Sequence, residues 1–372
     1  MKINFFFLLQ GIELKCLKYI NLDGCDSITE LPKLCTPSLE ELLLCDCKNL
    51  AKVHESLGFL DKLQIWDLTG CRELQILPNS LKLKSLKCLY LRKCKSITEL
   101  PELCTPSLEE LDLGCCKNLV KVHESVGILD KLQKWELEGC FKLQNLPDIL
   151  KLKSLENFNP RNCLRLEKFP NIHPEMKCLK SLDLSGSGIQ ELPSSIEYLT
   201  GLELLDLSCC KNLKLRQTFD YLDGFSKCGF LKLKSLSFIR GNENIIELDF
   251  LMKPEYFPVL CSLDLSETNI VSIPESLSRF ASLEFLYMRD CKQLREISRL
   301  PQSVRYVDLS NCKQLREISR LPQSVEYVDL SNCYSLNAQS SNRLLNQVSL
   351  SFFYLLIYKE TIVVTFFPNS IC

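Results

Sequence analysis

A chain of 372 residues, 46% hydrophobic and 24% charged, has enough apolar content to bury a core, which excludes an intrinsically disordered protein. Its formal net charge of −1 gives no electrostatic reason to expect nucleic acid or an anionic membrane as a partner. No stretch reaches the roughly 18 uninterrupted apolar residues of a membrane-spanning helix.

Residues 1–16 read as a lead-in. MKINFFFLLQG has one lysine, an apolar run from Phe5 to Leu9 and no small-residue cleavage site, so a secretory leader is not expected. No Asn begins an N-x-Ser/Thr sequon. The expected setting is a reducing cytoplasm, with the nucleus as a second location, and the 22 cysteines are expected as free thiols.

From residue 17 to 336 the frame LxxLxLxxCxxLxxLP recurs. It is clearest at Leu63 (LQIWDLTGCRELQILP), Leu86 (LKCLYLRKCKSITELP) and Leu132 (LQKWELEGCFKLQNLP). Fourteen units begin at 17, 39, 63, 86, 108, 132, 155, 179, 202, 233, 260, 283, 304 and 325. LEELLLCDCKNLAKVHESLGFLDKL at 39 returns at 108 as LEELDLGCCKNLVKVHESVGILDKL, and CKQLREISRLPQSV at 291 returns at 312. Spacing fails between 214 and 259, where a bulged loop is expected. LxxLxL sends alternate side chains inward from a short strand. The later leucines turn inward again on a return side, where ESVGILDKL forms a short helix or helical turn. One unit cannot close a core; stacked units can. The expected class is α/β: a horseshoe solenoid with a concave parallel sheet and short helices or turns on the convex side. Residues 337–347 read as a polar linker. The apolar tail, 348–372, could cap the open end as a strand pair or remain unpacked.

Eleven cysteines hold the ninth place of the frame: 25, 47, 71, 94, 116, 140, 163, 210, 291, 312 and 333. Ser187 and Thr268 replace Cys in two other units. A small side chain with a weak S–H donor fits a turn at the end of a strand. Zinc would want CxxC pairs, and none occurs. A nucleophile would want a base, and the three His are the duplicated His54 and His123 and the Pro-flanked His173. No catalytic, cofactor-binding or metal-binding residue is therefore expected, and the chain is not expected to be an enzyme.

Recognition falls to the positions between the inward ones. The residue between the second and third leucines forms an acidic column: Asp67, Asp112, Glu136, Asp183, Asp206, Asp264, Asp308 and Asp329. Such a column would be a solvated face or a surface for a basic protein. Phe285, Tyr287, Tyr306 and Tyr327 fall on the same face of the last three units, with Arg289 and Arg305. Tyr and Arg are favoured interface anchors, so a protein-binding patch is expected there.

CKNLVKVHESVGILDKL, EMKCLKSLDLSGSGIQELPSSIEYLTGLELLDLSCCKNL and SIPESLSRFASLEFLYMRDCKQLREISRLPQSVRYVDLSNC resemble the leucine-rich repeat region of plant intracellular disease-resistance proteins of the TIR-NBS-LRR class. The resemblance covers about residues 17–340. It implies plant innate immunity: sensing of a pathogen effector or guarded host protein, and restraint of a nucleotide-binding domain. The family's phosphate-loop motif G-x-x-x-x-G-K-[ST] and its Toll-type domain have no counterpart here, so nucleotide binding and NAD cleavage are not carried over. SNCYSLNAQSSNRLLNQ resembles the lead-in to the family's C-terminal jelly-roll-like domain, which does not follow. A truncated gene product or a partial gene model is the expectation. The alternative is a repeat scaffold such as the substrate-reading arm of a ubiquitin ligase.

Overall fold

The computed structural model describes residues 14–214, 230–240, 254–349, 353–358 and 361–366. The chain divides into two compact units, Met1–Leu199 and Thr200–Cys372.

In the first unit the LxxLxL segments form three-residue strands, in order Tyr19–Asn21, Glu41–Leu43, Ile65–Asp67, Cys88–Tyr90, Glu110–Asp112, Lys134–Glu136, Asn157–Asn159 and Ser181–Asp183. Each pairs in parallel with the next and without slippage, so Leu42 meets Trp66, Trp66 meets Leu89, and Leu89 meets Leu111. The middle residue of each strand is buried and its neighbours are not. Leu42, Trp66, Leu89 and Trp135 are fully enclosed, as are the flanking Leu39, Leu44, Leu63 and Leu68. Trp135 stacks on Phe158 with centroids 4.7 Å apart. Truncating one such leucine to Ala would cost about 2–5 kcal/mol, because neighbouring coils cannot collapse into the gap.

The return side holds two-residue strands in short ladders, such as Glu30–Leu31 with Lys52–Val53 and Glu99–Leu100 with Lys121–Val122. It also holds 3-10 turns at Glu55–Phe59, Glu124–Ile128 and Ser194–Tyr198. His54 and His123, equivalent in the duplication, cap the first two: His123 Nδ1 accepts from the Ser125 backbone N–H at 3.2 Å. Gly127 packs so closely that a Cβ would come within 2.5 Å of the Ile149 carbonyl oxygen.

The second unit repeats the plan with strands Leu204–Asp206, Ser235–Ser237, Ser262–Asp264, Phe285–Tyr287, Tyr306–Asp308 and Tyr327–Asp329, each parallel to the next. Phe230, Phe257 and Phe280 line up in its core at centroid spacings of 5.8 and 6.3 Å. The loop expected between 214 and 259 falls largely outside the described residues.

The linker expected at 337–347 is instead an α-helix, Ala338–Ser349. Asn337 Oδ1 caps it by accepting from the Ser340 backbone N–H at 2.7 Å. Three of its polar residues face the coil that begins at 304. Ser340 Oγ accepts from Ile318 N–H, Arg343 donates to the Ile318 carbonyl, and Gln347 bonds both backbone groups of Leu321. The return strand Glu317–Ile318 has no further return strand beside it among the described residues, so a polar helix serves where an apolar one would leave its backbone groups unsatisfied. Strands Phe353–Tyr358 and Thr361–Phe366 pair antiparallel, and the second runs antiparallel beside Tyr327–Asp329.

Candidate functional site

Every unit leaves its inner strand through the same bend. The residue before the cysteine place has positive φ, between 52° and 77°, in all fourteen units: Gly24, Asp46, Gly70, Lys93, Cys115, Gly139, Asn162, Gly186, Cys209, Arg240, Glu267, Asp290, Asn311 and Asn332. The next side chain is thereby turned inward. There the cysteine S–H donates to the carbonyl of the third leucine place in the preceding coil: Cys47 to Leu22 (3.1 Å), Cys71 to Leu44 (3.2 Å), Cys116 to Leu91 (3.1 Å), Cys140 to Leu113 (3.1 Å), and Cys312 to Met288 (3.1 Å). Thr268 donates instead to Leu265 of its own coil, at 2.6 Å, and Cys291 reaches the same carbonyl.

Burial pushes the thiols of Cys47, Cys71 and Cys140 up, to about 11 at Cys47 and about 12 at the other two. They are protonated, enclosed and engaged, the opposite of a reactive cysteine. All twenty described cysteines are free thiols. Among the described residues, no group of His, Cys, Asp and Glu is arranged to hold a metal.

The acidic column has a structural task that the sequence reading missed. Wherever the third strand residue is Asp or Asn, its Oδ1 accepts the backbone N–H two residues on. Asp67 takes Thr69, Asp112 takes Gly114, and Asp183, Asp206, Asp264, Asp308 and Asp329 each take the following serine, at 2.8–2.9 Å. Asn21 and Asn159 do the same. These are Asx turns that prepare the bend. The recurring tripeptide Asp-Leu-Ser at 183, 206, 264, 308 and 329 was the available signal. Glu136, one methylene longer, instead takes Asn159 Nδ2 at 2.8 Å.

The two units differ in what balances these carboxylates. In the first, Arg92 lies 3.6 Å from Asp112 and 3.1 Å from Glu138, Lys134 lies 3.6 Å from Glu136, and Arg161 lies 4.0 Å from Asp183, while Asp67 has no Lys or Arg within salt-bridge distance among the described residues. In the second, Asp206, Asp264, Asp308 and Asp329 have no Lys or Arg within salt-bridge distance among the described residues. The nearby arginines are held elsewhere: Arg240 by Glu267, Arg289 by Asp290, Arg305 by Glu326.

The expected aromatic residues come together in the second unit. Strand register places Phe285, Tyr306 and Tyr327 in one column and Tyr287, Asp308 and Asp329 in the next outward column. Tyr306 stacks on Tyr327 with centroids 4.5 Å apart and planes 5° apart; Tyr287 lies 5.3 Å from Tyr306 and Phe285 lies 6.4 Å from it. All four rings are half-buried. Burial and the neighbouring Asp308 push the Tyr306 phenol up to about 12. Continuing the Phe285 column, Ser262 and Ser235 are small and Leu204 is exposed. Asp112, Glu136 and Asp183 belong to the first unit.

The chain is similar in sequence to known leucine-rich repeat proteins. Residues 226–339 match a family described as disease resistance protein RPS4B-like, leucine-rich repeats. The TMV resistance protein N of Nicotiana glutinosa is 28% identical over 299 residues, covering 78% of this chain and 25% of that protein. The disease resistance protein RPP5 of Arabidopsis thaliana is 30% identical over 231 residues, covering 56% of this chain and 16% of that protein. The chain thus spans a quarter or less of the length of these relatives. A leucine-rich repeat protein of Leptospira interrogans superposes with a TM-score of 0.41 at 18% identity, covering 93% of this chain and 97% of that one.

Proposed function

We propose that the chain is part of a plant disease-resistance protein of the leucine-rich repeat class, to whose members it is similar, and that it is a non-enzymatic recognition array that binds protein on the inner face of its strands. The partner is a pathogen effector or a host protein that effectors target. In a receptor with a nucleotide-binding domain, the same array restrains that domain until the partner arrives. The setting is the cytoplasm or nucleus.

One observation supports this most: four aromatic rings, at Phe285, Tyr287, Tyr306 and Tyr327, form a continuous ladder on adjacent strands. A solenoid needs its inward residues for stability, but these rings face outward between them. Large, stiff side chains of this kind lose little conformational freedom on binding and supply much of an interface's energy.

The test is affinity. The full chain is measured by surface plasmon resonance against a panel of singly purified effectors. A quadruple alanine variant at the four aromatic positions should lose at least tenfold in affinity for any effector the wild type binds, equivalent to about 1.4 kcal/mol or more. Unchanged affinity would remove the ladder from the binding site.

A further inference from the structure

Building on that recognition reading, we propose that the partner contributes an arginine side chain, seated against Tyr287 and Tyr306 and paired with Asp264 and Asp308.

Two independent features of the second unit carry this. The first is the aromatic ladder. Tyr287 lies 5.3 Å from Tyr306 at an interplanar angle of 45°, so the two rings are tilted rather than stacked. The negative face of a tyrosine ring attracts a cation, and a planar guanidinium also stacks on it. The second is unbalanced charge. Asp264, Tyr287 and Asp308 are direct neighbours across three strands, so a carboxylate stands one strand spacing, about 4.8 Å, to either side of the tyrosine. Each carboxylate gives Oδ1 to its own turn, at 2.9 Å from Ser266 N and Ser310 N. A second oxygen remains on each for a partner, and neither has a Lys or Arg partner among the described residues.

Three column carboxylates of the first unit show what this fold does when such charges are balanced internally: Arg92, Lys134 and Arg161 stand beside Asp112, Glu136 and Asp183, and only Asp67 there stands without one among the described residues. The second unit has arginines of its own, but Arg240, Arg289 and Arg305 are held by Glu267, Asp290 and Glu326. Burial, and then Asp308 and Asp206, raise the Asp264 carboxyl above its ordinary value, against the lowering effect of Ser266. A cation arriving from outside would relieve that repulsion. Arginine suits the place better than lysine because its fork can serve a carboxylate in bidentate fashion while its plane lies on a ring. A nucleic acid, bringing phosphates to the same carboxylates, is disfavoured.

The test uses the full chain and a phage-displayed library of random dodecapeptides. Selected peptides are resynthesised and their affinities measured by fluorescence anisotropy. The key variant is the double substitution Asp264→Asn with Asp308→Asn. Asn keeps the Oδ1 acceptor, as Asn21 and Asn159 already do, so the turns survive and only the charge is lost. Circular dichroism verifies its fold. The expected result is that selected peptides share an arginine, and that its replacement by citrulline or the double variant weakens binding about tenfold or more, with the loss shrinking as salt rises. Peptides that depend on Tyr306 but lack arginine, or ignore the double variant, would overturn the arginine inference and leave the recognition face standing. Peptides indifferent to both Tyr306→Ala and Tyr327→Ala, or no selected peptide at all, would count against the face itself.

Discussion

The phenol rings of Tyr306 and Tyr327 stack in parallel, 4.5 Å apart and 5° from coplanar orientation, across two adjacent strands in perfect register. A cross-strand aromatic pair contributes about 0.5–1.5 kcal/mol beyond the area it buries. Tyr306→Ala should therefore lower unfolding stability by about 1–3 kcal/mol, and Tyr306→Phe by much less, since the ring and not the hydroxyl makes the contact. Urea unfolding of the full chain, followed by fluorescence, measures both. Equal losses in the two variants would show that the hydroxyl, not the stack, matters.

Alkaline pH should destabilise the array through its buried thiols. Their folded-state pKa values, about 11 at Cys47 and about 12 at Cys71 and Cys140, exceed the ordinary value of 9.0. Between those limits the native state holds protons that the unfolded state has released. The contribution is complete below about pH 9 and is lost as pH climbs through the folded-state values. Thermal melts in a reducing buffer should be level from about pH 7 to 8.5 and should fall steeply above 9. Alkylation adds a second readout: native chain should react at the exposed Cys16, Cys104 and Cys178 and spare Cys71, Cys94, Cys116, Cys140 and Cys163. Mass spectrometry locates the adducts; rapid labelling at Cys140 would refute the enclosed ladder.

At the acidic column, shape and charge separate cleanly. Asp183 Oδ1 holds the Ser185 N–H at 2.9 Å, and the Ser185 hydroxyl donates to the same oxygen at 2.5 Å. Asp183→Ala leaves that turn without its acceptor and should cost about 1–2 kcal/mol. Asp183→Asn should cost less than half as much, because its amide oxygen replaces the carboxylate. Chemical denaturation of the two variants side by side decides the matter.

The terminal helix makes a local prediction. Ser340 is fully buried and accepts the Ile318 N–H at 3.1 Å; Gln347 bonds both backbone groups of Leu321. Ser340→Ala leaves a buried donor unsatisfied, a penalty of about 1–3 kcal/mol concentrated in the last coils. Hydrogen exchange should quicken at Ile318 and Leu321 while Leu42 and Leu89 keep their protection. Unchanged exchange at Ile318 would mean that the helix does not seal this end.

Most of the architecture could be read from one period. LxxLxL alternation names the buried residue of each strand, and the recurrence of Cys names the bend, because a stacked fold must place equivalent side chains in equivalent surroundings. The same regularity put Phe285, Tyr306 and Tyr327 on one face. Three decisions belonged to the tertiary structure. A polar segment became a helix at 338–349, because the open backbone at Ile318 and Leu321 needs hydrogen-bond partners, and composition alone cannot show where those groups lie. The aspartates became turn acceptors, since that role depends on a distance of 2.8–2.9 Å to an N–H and not on charge. Finally, periodicity places every aspartate of the column alike; only the positions of long, freely rotating side chains such as Arg92 and Arg305 determine which carboxylates are neutralised within the chain and which are not.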